Sequence, residues 1–183
     1  GARVGDVLFL TKALGTGVIT TAIKRDAVDA AIAQIAISQM AALNKTAAEA
    51  MIAASASAAT DITGYGILGH AQEMAEASGV TIRFRAAMLP ILLEALRLTA
   101  LGMNPGGSND NRQFLADKVR MLGHIDPSLE SLMYDPQTSG GLLIAVAESN
   151  AGQLKAALQA AGLCSEPIGR VVPAGATPLE VEP

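Results

Sequence analysis

The sequence predicts an α+β fold, an α/β sandwich in which a mixed β-sheet is packed with helices. Three observations point to it. Short strand-like runs alternate with segments of helical spacing, and several of those runs are apolar throughout. Half of the 183 residues are hydrophobic while only 16% are charged, so a sizeable core can be buried. Aromatic residues make up 3% and Trp is absent, so that core must be built from Ala, Leu, Ile, Val and Met. The length suits a single domain over residues 1–183.

Taken in order, Val7 to Thr11 is a short apolar run without helical spacing and reads as a buried strand. Leu14-Gly15-Thr16-Gly17 breaks it, and a helix is expected from near Val18. Ile32, Ile35, Ala36, Met40 and Leu43 recur at helical spacing, with Asp26 as the expected N-cap. Lys45 to Ala54 is a second Ala-rich helix, and Ser57 to Ile62 reads as a strand entering a glycine-rich turn. Helical spacing returns from Ile67 to Ala77 and ends at Gly79. Val80 to Phe84 alternates as a strand does. Pro90 opens the next expected helix, with Ile91, Leu92, Ala95 and Leu98 on one face, up to Gly102. Residues 103–113 are rich in turn formers and are expected to be the longest loop. Leu142 to Val146 is the clearest buried strand. The helix after it carries Leu154, Ala157, Leu158 and Ala161 on one face, and Ile168 to Val172 is the last expected strand. Residues 173–183 contain Pro and Gly and are expected to form an exposed tail. No internal repeat is present.

Composition excludes several function classes. The net charge is −4 and the Lys and Arg residues are scattered, which argues against a nucleic-acid partner. The single cysteine, Cys164, allows no internal disulfide; with two histidines it cannot build a closed zinc site. No apolar run is long enough to span a bilayer and no signal peptide is present, so a reducing cytoplasm is the expected location. Gly1 leads almost at once into the first strand without an initiator Met. A domain cut from a longer chain, with residues needed for activity elsewhere, would begin so.

Chemistry concentrates in three segments that join glycine to polar residues. Thr60-Asp61-Ile62-Thr63-Gly64-Tyr65-Gly66 is the richest: a carboxylate at a strand end, then a glycine turn, then a helix start whose free N–H groups and positive dipole suit an anion. Asp61 has the chemistry to hold Mg²⁺, which uses one or two carboxylates and takes its other ligands from phosphate and water. Without further information, Asp61 and Thr63 read more simply as caps of the following helix. Asp135-Pro136-Gln137-Thr138-Ser139-Gly140-Gly141 is either a nest of N–H donors for an anion or a tight turn begun by Asp-Pro. In Lys12-Ala13-Leu14-Gly15-Thr16-Gly17 the lysine precedes the glycines, so it is no P-loop, and Gly15 and Gly17 read as tight-packing positions.

Read together, Thr11-Lys12-x-Leu14-Gly15-Thr16-Gly17, Thr60-Asp61-x-Thr63-Gly64-x-Gly66-x-x-Gly69-His70 and Asp135 to Gly141 resemble the signature segments of selenophosphate synthetases. Gly106-Gly107-Ser108 with Asn111-Arg112 resembles that family's glycine-rich segment between the second and third signatures. The likeness runs from Gly5 to about Val172. It implies an aminoimidazole ribonucleotide synthetase-like fold, of which this chain would be the carboxy-terminal domain. It also implies an ATP- and Mg²⁺-dependent reaction turning selenide, ATP and water into selenophosphate, AMP and orthophosphate, in a homodimer. Asp61 then becomes a metal ligand, and Thr60, Thr63, Gly64, Gly66, Asp135, Thr138, Ser139, Gly140 and Gly141 lie near ATP or its phosphates. The reactive cysteine or selenocysteine, the catalytic lysine and the other metal-binding aspartates would belong to the missing amino-terminal part, so no catalytic residue is expected here. Neither Lys12 nor Cys164 inherits those roles; Cys164 reads as a small hydrophobe and His70 as a packing or capping residue. Two alternatives stand beside this reading. One is a related enzyme of the aminoimidazole ribonucleotide synthetase or thiamine-monophosphate kinase type; the other is a non-catalytic dimerisation or binding module.

Overall fold

The computed structural model describes all residues, Gly1–Pro183. Its strands are β1 (Val7–Leu10), β2 (Ala58–Asp61), β3 (Thr81–Arg85), β4 (Val119–Met121), β5 (Leu142–Val146), β6 (Pro167–Val172) and β7 (Leu179–Glu182). They form one seven-stranded sheet in the order β2-β5-β1-β6-β3-β7-β4. The β3–β7 and β4–β7 pairs are parallel and the rest antiparallel, so the sheet is mixed as expected.

Eight helices surround it: α1 (Thr16–Lys24), α2 (Ala30–Ala41), α3 (Lys45–Ala53), α4 (Gly66–Ser78), α5 (Ala95–Ala100), α6 (Gly106–Phe114), α7 (Pro127–Met133) and α8 (Glu148–Ala160). Alternation along the central strands divides the core in two. Leu8, Leu10, Leu143 and Ala145 face α4, while Phe9, Ile144 and Val146 face α3 and α8. A third cluster joins α1, α2, α5 and Leu132 of α7 beside the sheet. Under β3 and β7 the face turned away from α4 carries charge instead, with Arg83 and Glu180 paired at 2.7 Å.

Several expectations are corrected. The N-cap of α2 is Asp29, whose carboxylate accepts from Ile32 N at 2.9 Å; Asp26 sits in a left-handed turn at φ 52°. Pro90 does not open a helix, because Leu14 N and Leu92 N bond across to Pro90 O and Leu14 O. That bridge holds the chain extended, and α5 starts only at Ala95. The expected loop at 103–113 is mostly α6, led by Pro105 in an extended conformation. Strand β4 and helix α7 were not foreseen; Asp126 caps α7, with Pro127 at its first turn. The expected exposed tail is also wrong. Its end is β7, inserted between β3 and β4 with Leu179 and Val181 fully buried. Alternation of apolar and acidic residues in Leu179-Glu180-Val181-Glu182 was the available signal. No helix is long and apolar enough to cross a membrane.

Candidate anion and metal site at one end of the sheet

The three glycine-rich segments meet because β2, β5 and β1 are neighbours. Asp61 ends β2, Gly141 precedes β5, and Thr11-Lys12 follows β1, all at the same end of the sheet. The α6 segment joins them through Asn111, whose side-chain amide donates to Gly64 O and Tyr134 O, each at 3.0 Å.

Asp61 is exposed, and its carboxylate takes part in no hydrogen bond or ion pair; only its backbone oxygen accepts, from the Thr60 hydroxyl at 3.4 Å. The capping reading fails on geometry. The N-cap of α4 is Tyr65, with no side-chain cap, and Thr63 turns its hydroxyl to His70 Nε2 at 3.0 Å. His70 in turn meets Glu73 through Nδ1 at 3.3 Å, so α4 steadies the turn that carries Asp61. Thr63 O accepts from Gly66 N and Gln137 N, which pins that turn to the neighbouring segment. Gly64 is exposed with open space around it. Gly66 is buried at φ 67°, where a Cβ would lie 3.0 Å from Tyr134 C.

The Asp135 to Gly141 segment divides into an inward and an outward part. Asp135 has no exposure; its Oδ2 accepts from Gly17 N at 3.1 Å, Val18 N at 3.3 Å and Gln137 Nε2 at 2.9 Å. Gln137 Oε1 accepts from Gly15 N, Thr16 N and the Thr16 hydroxyl. The pair thus caps α1 from across the fold, filling the orphan donors of its first turn. A Cβ at Gly17 would overlap Asp135 Oδ1 and Pro136 O, so the packing role read for Gly17 holds. Burial pushes the Asp135 carboxyl up to about 7, against the bonds from Gln137, Val18 and Gly17 that lower it. Its Oδ1 is buried without a partner and is the oxygen left to carry the proton. Thr138 and Ser139 are exposed, whereas Gly140 and Gly141 are buried against Ile62 O and the Lys12 backbone.

Sequence reading gave Lys12 and Thr16 no role of their own and did not single out Asn44. Lys12 is 6% exposed, and its ammonium donates to Ala42 O at 2.7 Å and Ser139 O at 2.8 Å. Asn44 donates to Gly140 O at 2.9 Å, and Thr16 accepts from Thr138 N at 3.0 Å. Only the presence of polar residues beside glycines hinted at them. Cys164 is half-buried, with burial raising its thiol, and its backbone N–H donates to Thr11 O at 3.3 Å; His124 is exposed in a loop.

This fold and these segments define a class. The chain belongs to the AIR synthase related protein, C-terminal domain family, whose model matches residues 3–182. Within that class it is similar to selenide, water dikinases, as the signature segments indicated. It is 45% identical to that of Pelobacter propionicus over 171 residues, covering 93% of this chain and 49% of the relative. It is 48% identical to that of Caldanaerobacter subterraneus subsp. tengcongensis over 153 residues, covering 84% and 44%. The chain therefore spans about half the length of the curated relatives it matches. Among solved structures the fold is shared with thiamine-monophosphate kinase from Stenotrophomonas maltophilia, at TM-score 0.67 and 17% identity over 98% of this chain and 51% of that one. It is shared also with hydrogenase maturation protein HypE, at TM-score 0.62 and 18% identity over 95% and 46%.

Proposed function

We propose that these residues form the carboxy-terminal domain of a selenide, water dikinase and contribute one Mg²⁺ ligand, Asp61, to an ATP site completed elsewhere in the protein. The reaction is ATP, selenide and water going to selenophosphate, AMP and orthophosphate, in a cytoplasmic homodimer. The observation carrying this reading is the Asp61 carboxylate itself. It is exposed, uncommitted to any neighbour, and held on a turn fastened by Thr63, His70 and Gln137. Carboxylates with a structural duty are bonded, as Asp135 is.

A single free carboxylate fits Mg²⁺, and no three His, Cys, Asp or Glu side chains converge in the chain to hold an ion alone. Mg²⁺ at Asp61 would supply charge neutralisation on phosphate oxygens, the main requirement of phosphoryl transfer. The remaining ligands, the catalytic lysine and the cysteine or selenocysteine nucleophile are assigned to the other half of the protein. Two further facts support the reading. The sequence relatives carry the dikinase name, and a structure titled HypE in complex with ATP shares the fold at TM-score 0.57. Exposed Leu43 and Ile52, at 81% and 71%, are suited to packing against that other half.

The test uses a protein joining residues 1–183 to their upstream half. With ATP, Mg²⁺ and selenide it should release AMP and orthophosphate, while residues 1–183 alone should not. Turnover with an aminoimidazole precursor or thiamine monophosphate in place of selenide overturns the substrate. Absence of any ATP turnover returns the chain to a binding or dimerisation module.

A further inference from the structure

Helices α3 and α8 cover one face of the sheet over β1 and β5, but the same face of β6, β3, β7 and β4 is open and charged. Strand register sets Val7, Arg170, Arg83, Glu180 and Arg120 side by side across it. Arg85 and Glu182 form the next pair along β3 and β7. In a chain of net charge −4 with its basic residues spread along the sequence, folding brings four arginines onto one surface.

Register also places Arg170 directly opposite Arg83, where facing side chains start about 5 Å apart and like charges repel. Glu180 resolves only half of that conflict. It accepts from Arg83 Nε at 2.9 Å and Nη2 at 2.7 Å, while Arg170 pairs with no carboxylate and its side chain donates to no acceptor in the chain. Arg85 is anchored by Pro167 O, which accepts from its Nη2 at 2.8 Å, and it too has no carboxylate within ion-pair reach.

A second, independent observation is the space beside these groups. Two adjoining cavities, of about 310 and 340 Å³, both have Arg85, Gly169 and Arg170 in their walls. Glu148 and Ala151 of α8 line one, and Arg83 and Glu182 the other. These volumes fall in the range of small-ligand sites. Gly169 admits no side chain, since a Cβ there would lie 2.2 Å from Arg83 O, and β6 therefore meets both cavities with backbone. A guanidinium holds phosphate through two parallel N–H bonds, where an ammonium acts as a point charge.

We propose that Arg85 and Arg170 form a binding site for a small phosphate ester, in the cleft between α8 and the open face of β6 and β3. The two uncommitted guanidiniums take the phosphoryl oxygens. Glu148 and Glu182, unpaired in the same walls, accept from hydroxyl groups on the rest of the ligand and disfavour a ligand with a second anionic group. The site stands apart from Asp61. Arg170 lies opposite Val7 at the start of β1, whereas Asp61 lies at the end of the sheet that Leu10 reaches. It therefore does not rest on the dikinase reading.

The experiment is an NMR titration of the isotope-labelled chain, following the side-chain Nε–H signals of Arg83, Arg85, Arg120 and Arg170 at constant ionic strength. The probes are glycerol 3-phosphate, orthophosphate and malate, with chloride as the balancing anion. The Arg85 and Arg170 signals should shift saturably with glycerol 3-phosphate, and at higher concentration with orthophosphate, which brings no polyol arm to Glu148 and Glu182. Arg85→Gln and Arg170→Gln should each weaken binding about tenfold, the worth of a charged hydrogen bond, and Arg170→Lys should keep part of it. Arg120→Gln, on the same face but outside both cavities, should leave binding unchanged. All three altered residues are exposed, so these variants should fold. Shifts that never saturate, or that move Arg120 equally, overturn the proposal as charge screening. Undiminished binding by Arg170→Gln overturns the site, and tighter binding of malate than of either phosphate overturns the ligand class. Equal affinity for orthophosphate and the ester overturns the roles given to Glu148 and Glu182.

Discussion

The turn from Thr60 to His70 and the loop from Asp135 to Gly141 lie side by side on β2 and β5, and each carries an aspartate at its first or second position. The Asp61 residue is exposed and its carboxylate is bonded to nothing; Asp135 has no exposure and collects three N–H donors. Glycines follow both, yet Gly64 has no atom within 4 Å of where a Cβ would stand, while Gly140 has none of that room. One aspartate is spent on holding the fold and the other is left free by it. An exposed group's solvation suffices without protein partners, so its lack of them carries no folding penalty. A buried one without partners is costly, and Asp135 is lashed to α1 for that reason.

The largest effect that can break this contrast is on activity. Asp61→Asn keeps shape and removes the charge. In the longer enzyme it should lower Mg²⁺-dependent turnover by roughly 10³-fold, the several kcal/mol typical of a metal contact in phosphoryl chemistry. The thermal midpoint of residues 1–183 should stay unchanged in the same variant. Normal turnover, or a large loss of stability, would place Asp61 with Asp135 as a structural group.

Asp135 should show the opposite profile, in stability and in its pH dependence. Its folded pKa of about 7 lies above the ordinary 3.8, so the folded state holds the proton more tightly. The stabilising contribution is complete below about pH 4 and is lost as pH rises through 7. A shift of about three units corresponds to about 4 kcal/mol as an upper scale. Asp135→Asn keeps an oxygen for Gly17 N, Val18 N and Gln137 Nε2 and cannot ionise. Denaturant melts at pH 4 and pH 8 should therefore show a smaller loss in the variant than in the unaltered chain. Equal slopes would mean that Asp135 is not the buried proton carrier.

The glycines give a cleaner comparison of intermediate size. Gly140→Ala drives a methyl into Ile62 O and should cost about 2–4 kcal/mol, since backbone on both sides must shift. Gly64→Ala meets open space at an ordinary φ and should stay within about 0.5 kcal/mol. Chemical denaturation of the two variants measures both. A Gly64→Ala variant that folds normally yet loses activity would show that ligand, not packing, occupies the space beside Gly64.

How much of this was legible depended on the range of the signal. The sheet with its helices was readable because β1, β5 and α8 carry their apolar pattern locally, and the three segments announced themselves by glycine beside polar groups. The roles inside them were not readable, because Asp135 and Gln137 serve α1, more than 100 residues away in sequence. Strand β7 was missed since its partners, β3 and β4, also lie far from it in sequence, and a tail with Pro and Gly looks like a loop until they cover it. Helix α6 was missed because Gly-Gly-Ser-Asn is poor helix material; Asn111, bonded to Gly64 O and Tyr134 O, holds it in place from outside its own sequence.

The smallest predicted effect probes the fastening between the two regions. Thr63→Val keeps the branched shape and deletes the hydroxyl that meets His70 Nε2. His70 is buried, at 8% exposure, and its other nitrogen already faces Glu73, so the deleted bond has no substitute and should cost about 1 kcal/mol. If the pair also steadies the turn carrying Asp61, the variant should need several-fold more Mg²⁺ for half-maximal turnover while its maximal rate changes little. His70→Gln, which can still reach Thr63, should recover part of that affinity. A loss of stability with unchanged Mg²⁺ dependence would confine Thr63 and His70 to packing, and would mean that Gly66 N and Gln137 N suffice to hold the turn at Thr63 O.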